Sequence, residues 1–399
     1  MVDNCFFGAD ILLPKKDFER FAVMACDQYT SEPEYWEDAK KITAGCASAL
    51  ELILPEVYLS DDNSIRINEI NKKMTEYLQS GVFEEYKDCM IYVERGCTGG
   101  GIRRGIVGKV DLECYDFAPH NTALIRASEK TVAERIPPRV KIRENAAMEL
   151  SHAMLLMNDT EDKIMSELSS QKDSFEKVYD FELMKGSGHI TGWIIPEKNK
   201  ARITEQLKEL KRENNGLLFC VGDGNHSLAT AKACYEKDKG ELNRYALAEI
   251  VNIHEKALEF EPIYRVVFGK NPETVINDFK DYYKDKNGKN EIKYRCVYGT
   301  CEKEFSLCCP QSSAVAALQD FLDDYILKNN DLKIDYIHDE ASLKKICNKS
   351  DVTGFLFEGM KKDELFPAVV ADGSLPRKTF SMGHAADKRF YLEGRRIKK

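Results

Sequence analysis

The apolar and polar positions of the chain change period most sharply between Leu217 and Glu236. Leu217, Leu218, Phe219, Cys220 and Val221 form an unbroken apolar run, the pattern of a strand buried on both faces. Leu228, Ala231 and Tyr235 then recur at i, i+3 and i+7, which predicts a helix. The six residues between them are Gly222-Asp223-Gly224-Asn225-His226-Ser227, a polar turn with two glycines that permit positive φ and close approach of a ligand to the backbone. Amides of the first turn of such a helix lack intrahelical acceptors and carry the positive end of the dipole, so the turn has the physical make-up of a phosphate cradle. The plainer reading is an ordinary strand-to-helix connection, with Asp223, Asn225 or Ser227 as N-cap. His226 beside Asp223 is more than capping requires.

Elsewhere the same patterns give a mixed α/β chain. Tyr35, Trp36 and Ala39 predict a helix entered through Ser31 and Glu34 in capping-box register, which sets Asp27, Gln28 and Tyr29 between a strand end and a helix start. Ile65, Ile67, Ile70, Met74 and Leu78 fall on one face of a helix over 64–80. Met90–Glu94 and Gly105–Tyr115 read as strands joined through Thr98-Gly99-Gly100-Gly101, a hairpin turn; no GK[ST] and no helix follow, which rules out a phosphate loop there. Residues 163–215 read as polar helix with strand-like breaks around 188–195, and Leu242–Ile253, rich in Ala and Leu, reads as a helix leading to His254 and Glu255. Tyr264–Phe268 is a strand. The charged stretch 269–290 marks a lobe boundary, dividing a body at 1–268 from a smaller α/β lobe at 269–399, whose end (375–399) either returns to the site or forms an exposed tail.

Composition narrows the class. The 399 residues are 43% apolar and 31% charged, enough for two or three folded domains. A net charge of −9 argues against general affinity for nucleic acid. No apolar run reaches the roughly 18 residues of a membrane span, and an acid near the N-terminus stands where a signal peptide is basic, so a cytoplasmic protein is expected. The 13 cysteines include no CxxC pair, and the group Cys296, Cys301, Cys308 and Cys309 has no histidine nearby, so reduced and mostly buried thiols are expected.

The most unusual polar stretch is 124–158, where Arg126, Lys130, Arg135, Arg139, Lys141 and Arg143 alternate with acids and Pro137-Pro138 interrupts any continuous helix. A solvated face accounts for most of these charges. Glu129 could serve as a general base, and the arginines could hold carboxylate or phosphate oxygens bidentately.

Four ordered segments carry a resemblance. CDQYTS at 26–31, LIRASEKTVAERIPPR at 124–139, VGDGNHSLATAK at 221–232 and RKTFSMG at 377–383 look like the family known as domain of unknown function 1015. More distantly, the GDGNHS turn resembles the DGHHR-type loop of ParB and sulfiredoxin-like proteins, a group that includes free-serine kinases. The resemblance implies a strand-loop-helix nucleotide site within the catalytic body, a nucleotide phosphate held by the loop, and serine phosphorylated to O-phosphoserine. Ser227 stands where those loops have arginine and Asn225 replaces their first histidine, so part of the phosphate-binding charge must come from elsewhere. Sulfiredoxin chemistry needs a cysteine in the loop, and Cys220 lies inside the strand instead. ParB-like DNA binding needs a basic module that this acidic chain lacks.

These readings converge on a kinase that phosphorylates a small amino acid, L-serine first, from ATP or ADP with Mg²⁺. Glu129 would be the base, His226 a donor to the transferred group, and Gly222, Gly224, Asn225 and Ser227 the cradle, with Arg135 and Arg139. Asp223 would hold Mg²⁺ or the substrate ammonium, and Asp27, Gln28, Tyr29, Arg126 and Lys378 would line the substrate side. The alternative is a regulatory protein that binds nucleotide without turnover. Oligomeric state stays open, a homodimer included.

Overall fold

Runs that are apolar at successive positions must be covered on both faces if they are strands. The computed structural model, which describes residues 4–24, 29, 32–58, 62–131, 136–151 and 153–398, places several such runs side by side at the centre of one sheet. Its ten strands are β1 (Phe6–Phe7), β2 (Ile91–Gly96), β3 (Ile102–Asp111), β4 (Tyr115–Asp116), β5 (Ile125–Ala127), β6 (Ala153–Met157), β7 (Glu176–Glu182), β8 (His189–Ile194), β9 (Phe219–Asp223) and β10 (Tyr245–Asn252). The order is β7-β8-β2-β3-β10-β6-β9-β5-β4, with β1 on β3. Most pairs are antiparallel; β6 with β10, β9 with β5 and β5 with β4 are parallel.

Four helices pertain to this sheet: α1 (Ile136–Arg143), α2 (Lys163–Gln171), α3 (Glu197–Glu213) and α4 (Asn225–Lys237). Leu155, Val221 and Ile250 form one core with Ile164, Leu168, Ile203, Leu207, Leu228 and Ala231, so α2, α3 and α4 cover one face. On the other face Ile91, Val93, Val107 and Leu247 join Ile11, Leu13, Met148 and Leu392, residues of a second sheet and its flanks. That sheet runs Phe83–Cys89, Ala9–Pro14, Gly394–Arg396, Met148–Leu150. Pro137 and Pro138 fall in the first turn of α1, where a missing N–H costs nothing. The helix Pro33–Thr43 starts from Glu32 as N-cap; Ser31 lies outside the described residues.

One expected element is different. Leu242–Ile253 is not a helix: Tyr245–Asn252 is β10, fifth in the sheet order and buried along almost its whole length. A strand covered on both faces loses the alternation that distinguishes it, and Ala and Leu here follow burial rather than helix propensity.

Compactness divides the chain into Met1–Leu258 with Gly383–Lys399, and Glu259–Met382. The second unit is a five-stranded antiparallel sheet in the order Cys301–Cys309, Asn290–Tyr298, Val352–Phe357, Tyr264–Phe268, Lys333–Ile337. Pro272–Lys284 and Ala314–Lys328 pack on one face through Phe279 and Phe321, and Glu340–Cys347 on the other through Leu343.

The first unit buries charge as well as hydrocarbon. Arg389 pairs with Glu249 and with Glu393 at 2.6 Å and donates to Ser151 Oγ at 2.9 Å, while Tyr179 donates to Glu393 at 2.7 Å. Close by in sequence, Arg395 and Arg143 flank Glu149 at 2.7 and 2.6 Å, and the Leu247 amide adds a third donor at 2.9 Å. A Cβ at Gly105 would collide with the Glu249 carboxyl, so that position on β3 has to be glycine. Among the described residues, no helix is long and apolar enough to cross a membrane, and the cysteines form no disulfide.

Burial acts to raise the Glu149 pKa, but Arg143 and Arg395 outweigh it and hold the carboxyl below its usual range. A depressed folded pKa gives stability that is complete above the unfolded value of about 4.3 and is lost as pH falls through the folded value. Glu149→Gln should therefore destabilise the protein by about 3 kcal/mol at pH 7, by leaving the buried Arg395 and the half-buried Arg143 without their counter-ion. The gap to the parent should narrow only below about pH 4. Urea midpoints at pH 7, 5 and 3.5 check this; a gap that stays constant throughout would contradict it.

Candidate functional site

Two parallel strands end side by side. In the β5–β9 pair Ala127 lies opposite Val221, so the chain leaving each strand emerges at the same end of the sheet. Ser128, fully buried, donates its hydroxyl to the Val221 carbonyl and accepts from Asn225 Nδ2 at 3.4 Å. Glu129 follows Ser128, and His226 follows Asn225. Consecutive Cα atoms are about 3.8 Å apart, so each candidate catalytic residue is one step from a direct contact between the two segments. Glu129 and His226 are both half-buried, neither sunk in the apolar core.

The end of β9 carries a bulge. Leu155 pairs with Val221 but Met154 pairs with Asp223, so Gly222 and Asp223 together oppose one residue of β6. Val221 packs with the helices, and strict alternation would send Asp223 to the same face. The extra residue turns it instead toward the face of Met154 and, through the register of the next pairs, of Glu249 and Val107. The bulge thus removes one carboxylate from the helix-covered face.

Helix α4 starts at Asn225 from Gly224 (φ 81°, ψ 26°), which has no side chain to cap it. Asp223 Oδ1 accepts from the Gly224 amide at 2.8 Å. Thr230 donates back to the His226 carbonyl at 2.7 Å, which leaves the Thr230 hydroxyl out of the turn. Asn225 Oδ1 is buried without a hydrogen-bond partner. The Ser128 hydroxyl proton is committed to Val221, so Ser128 can only accept from the Asn225 amide nitrogen, and the oxygen is left as the orphan. An acceptor of that kind fits the ammonium or hydroxyl of a ligand.

Arg126 lies on β5 beside Cys220, 8% exposed. Its Nε donates to the Ala123 carbonyl at 3.0 Å, no carboxylate pairs with it among the described residues, and burial pulls its pKa below the usual value. A buried cation without an acid is suited to an anionic ligand. Arg139 sits on α1, which packs against α4. Gly222 and Ser227 are half-buried in the turn itself. The Tyr29 ring stacks on Tyr35 at 3.8 Å between centroids, and its carbonyl accepts from Trp36 at 2.9 Å. Lys378 belongs to the second unit, with its ammonium 5.6 Å from the Tyr336 ring centre. Asp27, Gln28 and Arg135 lie outside the described residues. His254 Nε2 bonds Asn158 Oδ1 at 2.8 Å, a packing contact.

The structure adds a residue that the sequence reading passed over. Lys388 Nζ lies 3.6 Å from Asp223 Oδ2, on the segment Gly383–Lys399 that belongs to the first unit. No group of three or more His, Cys, Asp or Glu suited to a metal ion occurs among the described residues.

A sequence profile described as "Protein of unknown function (DUF1015)" matches residues 9–329. Among solved structures, a free serine kinase in complex with AMP is similar at TM-score 0.40 and 11% identity, over 71% of this chain and 90% of that one. A conserved hypothetical protein from Pyrococcus furiosus is similar at TM-score 0.38 and 12% identity, over 72% and 94%. SbnI with a C-terminal truncation, from Staphylococcus aureus, gives 0.38 and 10% over 69% and 82%. No curated protein matches the sequence.

The left-handed backbone at Gly224 sets a prediction for the turn. Gly224→Ala should cost about 1 kcal/mol of stability, the strain of a Cβ at positive φ. The urea midpoint should fall with the slope unchanged. A parent-like midpoint would mean that the turn relaxes to another conformation.

Proposed function

The chain belongs to the DUF1015 family, and we propose that it is a small-molecule kinase that transfers a phosphoryl group from ATP or ADP to the hydroxyl of L-serine. The observation that carries this reading is the meeting of Ser128 with Asn225, which joins the Glu129 segment to the GDGNHS turn at the ends of two parallel strands. Crevices at strand ends are where open α/β sheets commonly hold ligands. The turn's likeness to the loops of free-serine kinases supports the choice of a nucleotide and of serine.

Phosphoryl transfer asks chiefly for positioning and charge neutralisation, with a base for the acceptor proton. In this reading the first-turn amides of α4 and His226 hold the phosphoryl oxygens. Arg126 and Arg139 take the carboxylate or a further phosphate, and Asn225 Oδ1 accepts from the serine ammonium or hydroxyl. Asp27, Gln28 and Tyr29 would be the residues that contact serine. The serine oxygen forms the new bond to phosphorus and the bond to the bridging oxygen breaks. ADP leaves when ATP is the donor, AMP when ADP is, and the hydroxyl proton passes to Glu129. Mg²⁺ would supply charge neutralisation on the phosphates. Asp223, the carboxylate of the turn, would hold an ion that arrives with the nucleotide.

Incubating the pure protein with ATP or ADP, Mg²⁺ and L-serine should yield O-phosphoserine by mass spectrometry. Nucleotide binding with no phosphoserine would leave the regulatory reading. Glu129→Gln should keep ADP affinity within about twofold while turnover falls roughly 10²-fold. Unchanged turnover would move the base to another carboxylate, Asp223 first.

A further inference from the structure

Two thiols meet in the core beside α4. Cys5 leads into β1, and the Asp111 amide at the end of β3 donates to its carbonyl at 3.0 Å. One short helical turn, Leu112–Cys114, follows β3 at once, and Asp111 Oδ1 accepts from the Glu113 amide within it at 3.0 Å. The turn brings Cys114 to Cys5. The Cys5 thiol donates to the Cys114 sulfur, and both side chains belong to the core that α4 covers. Cys5 is fully enclosed, whereas Cys114 is 6% exposed, and both are free thiols.

Packing alone leaves a buried thiol inert, because an apolar setting disfavours the thiolate that reacts. Burial does push Cys89, Cys220, Cys234, Cys296, Cys309 and Cys347 up. Cys114 goes the other way. The hydrogen bond from Cys5 outweighs burial, with Arg244 on the same side, and holds the Cys114 thiol below its usual value. Cys5 is raised well above that value, by burial first and then by the same bond. The pair is therefore an outer sulfur that ionises readily and an inner thiol in contact with it, the two parts that a dithiol needs to close on an oxidant.

The turn between β3 and Tyr115 also holds α4 in place. Lys232 donates to the Leu112 carbonyl at 2.8 Å, and Tyr235 donates to the Glu113 carboxylate at 2.6 Å. Leu112 and Cys114 share one core with Leu228, Ala231 and Tyr235. A shift of Cys114 thus reaches the helix that opens at the GDGNHS turn.

We propose that Cys5 and Cys114 are a reversible redox pair: a hydroperoxide oxidises them to a disulfide, and closing that bond loosens α4 from the Leu112–Cys114 turn. The Cys114 thiolate takes one oxygen of the hydroperoxide, the O–O bond breaks, and the hydroxide released takes up the proton that Cys114 gave up, leaving a sulfenic acid and water. The Cys5 sulfur then attacks the Cys114 sulfur, the S–O bond breaks, and the departing hydroxide takes the Cys5 proton as a second water. Two thiols are oxidised and one hydroperoxide is reduced. The bond draws Cys114 toward Cys5, and with it the carbonyl and carboxylate on which Lys232 and Tyr235 are held. None of this requires the phosphoryl-transfer reading.

The test treats the full chain with hydrogen peroxide, blocks remaining thiols with iodoacetamide in denaturant, and maps tryptic peptides by mass spectrometry, with amide hydrogen exchange on the oxidised and reduced protein. The expected result is the peptide of Cys5 joined to the peptide of Cys114 with loss of two hydrogens, reversal by dithiothreitol, and α4 amides that exchange about threefold faster in the oxidised form. Cys5→Ser should stop at the sulfenic acid of Cys114, trapped there by dimedone. Recovery of both cysteines as blocked thiols after peroxide, or cross-links spread among the other cysteines, would overturn the pair. Cross-linked protein whose α4 exchanges as in the reduced form would overturn the coupling to the helix, and dimedone found elsewhere than Cys114 would overturn its part as the attacking sulfur.

Discussion

A carboxylate buried inside a sheet is tolerable only beside a cation, and Glu249 at the centre of this one obtains its partner from the far end of the chain. Arg389 answers Glu249 and Glu393 together, and Arg395 with Arg143 answers Glu149. The pairs are close and hydrogen-bonded, so breaking one would leave a buried charge unanswered. That penalty fixes where the segment Gly383–Lys399 must run. The strand Gly394–Arg396 in the second sheet, the position of Asp387 on the hairpin turn and the placement of Lys388 all follow from it.

The turn at 222–227 owes its geometry to a different constraint, the parallel pairing of β5 with β9. That register brings the two most polar motifs of the sequence to one sheet end, and the bulge decides which carboxylate faces which side. Strand, turn and helix between Leu217 and Lys237 are legible in the sequence because each is set by residues a few positions apart. The hairpin through Thr98–Gly101 is legible for the same reason. The strand at Tyr245–Asn252 is not, because burial on both faces erases its period. The bulge is not either: a glycine in a strand hints at one, but the register shift depends on the partner strand. Lys388 carries no local mark at all. Its place is set by residues elsewhere, Arg95, Arg103 and Glu249, whose own burial no sequence pattern announces. Arg389 and Glu393, spaced i and i+4, look like an exposed helical pair and are instead deeply buried.

The polar groups of the site differ from those of the network in one respect. Each carboxylate in the network is answered by an arginine. In the site, Asn225 Oδ1 has no donor and Arg126 has no acid among the described residues. A polar group left short of a partner beside the turn is one that a ligand can complete.

The order of the two units along the chain has a consequence for synthesis. Glu259–Met382 is interposed between the main part of the first unit and its closing segment. On the ribosome, the sheet with Glu249 and Glu149 emerges first, and the whole second unit is translated before Arg389 and Arg395 appear. Nascent chains therefore pass through a stage in which Glu249 has no counter-ion and Glu149 has only Arg143. At the usual pace of several residues per second, that stage lasts on the order of ten seconds or more. During it the second sheet of the first unit lacks its strand Gly394–Arg396.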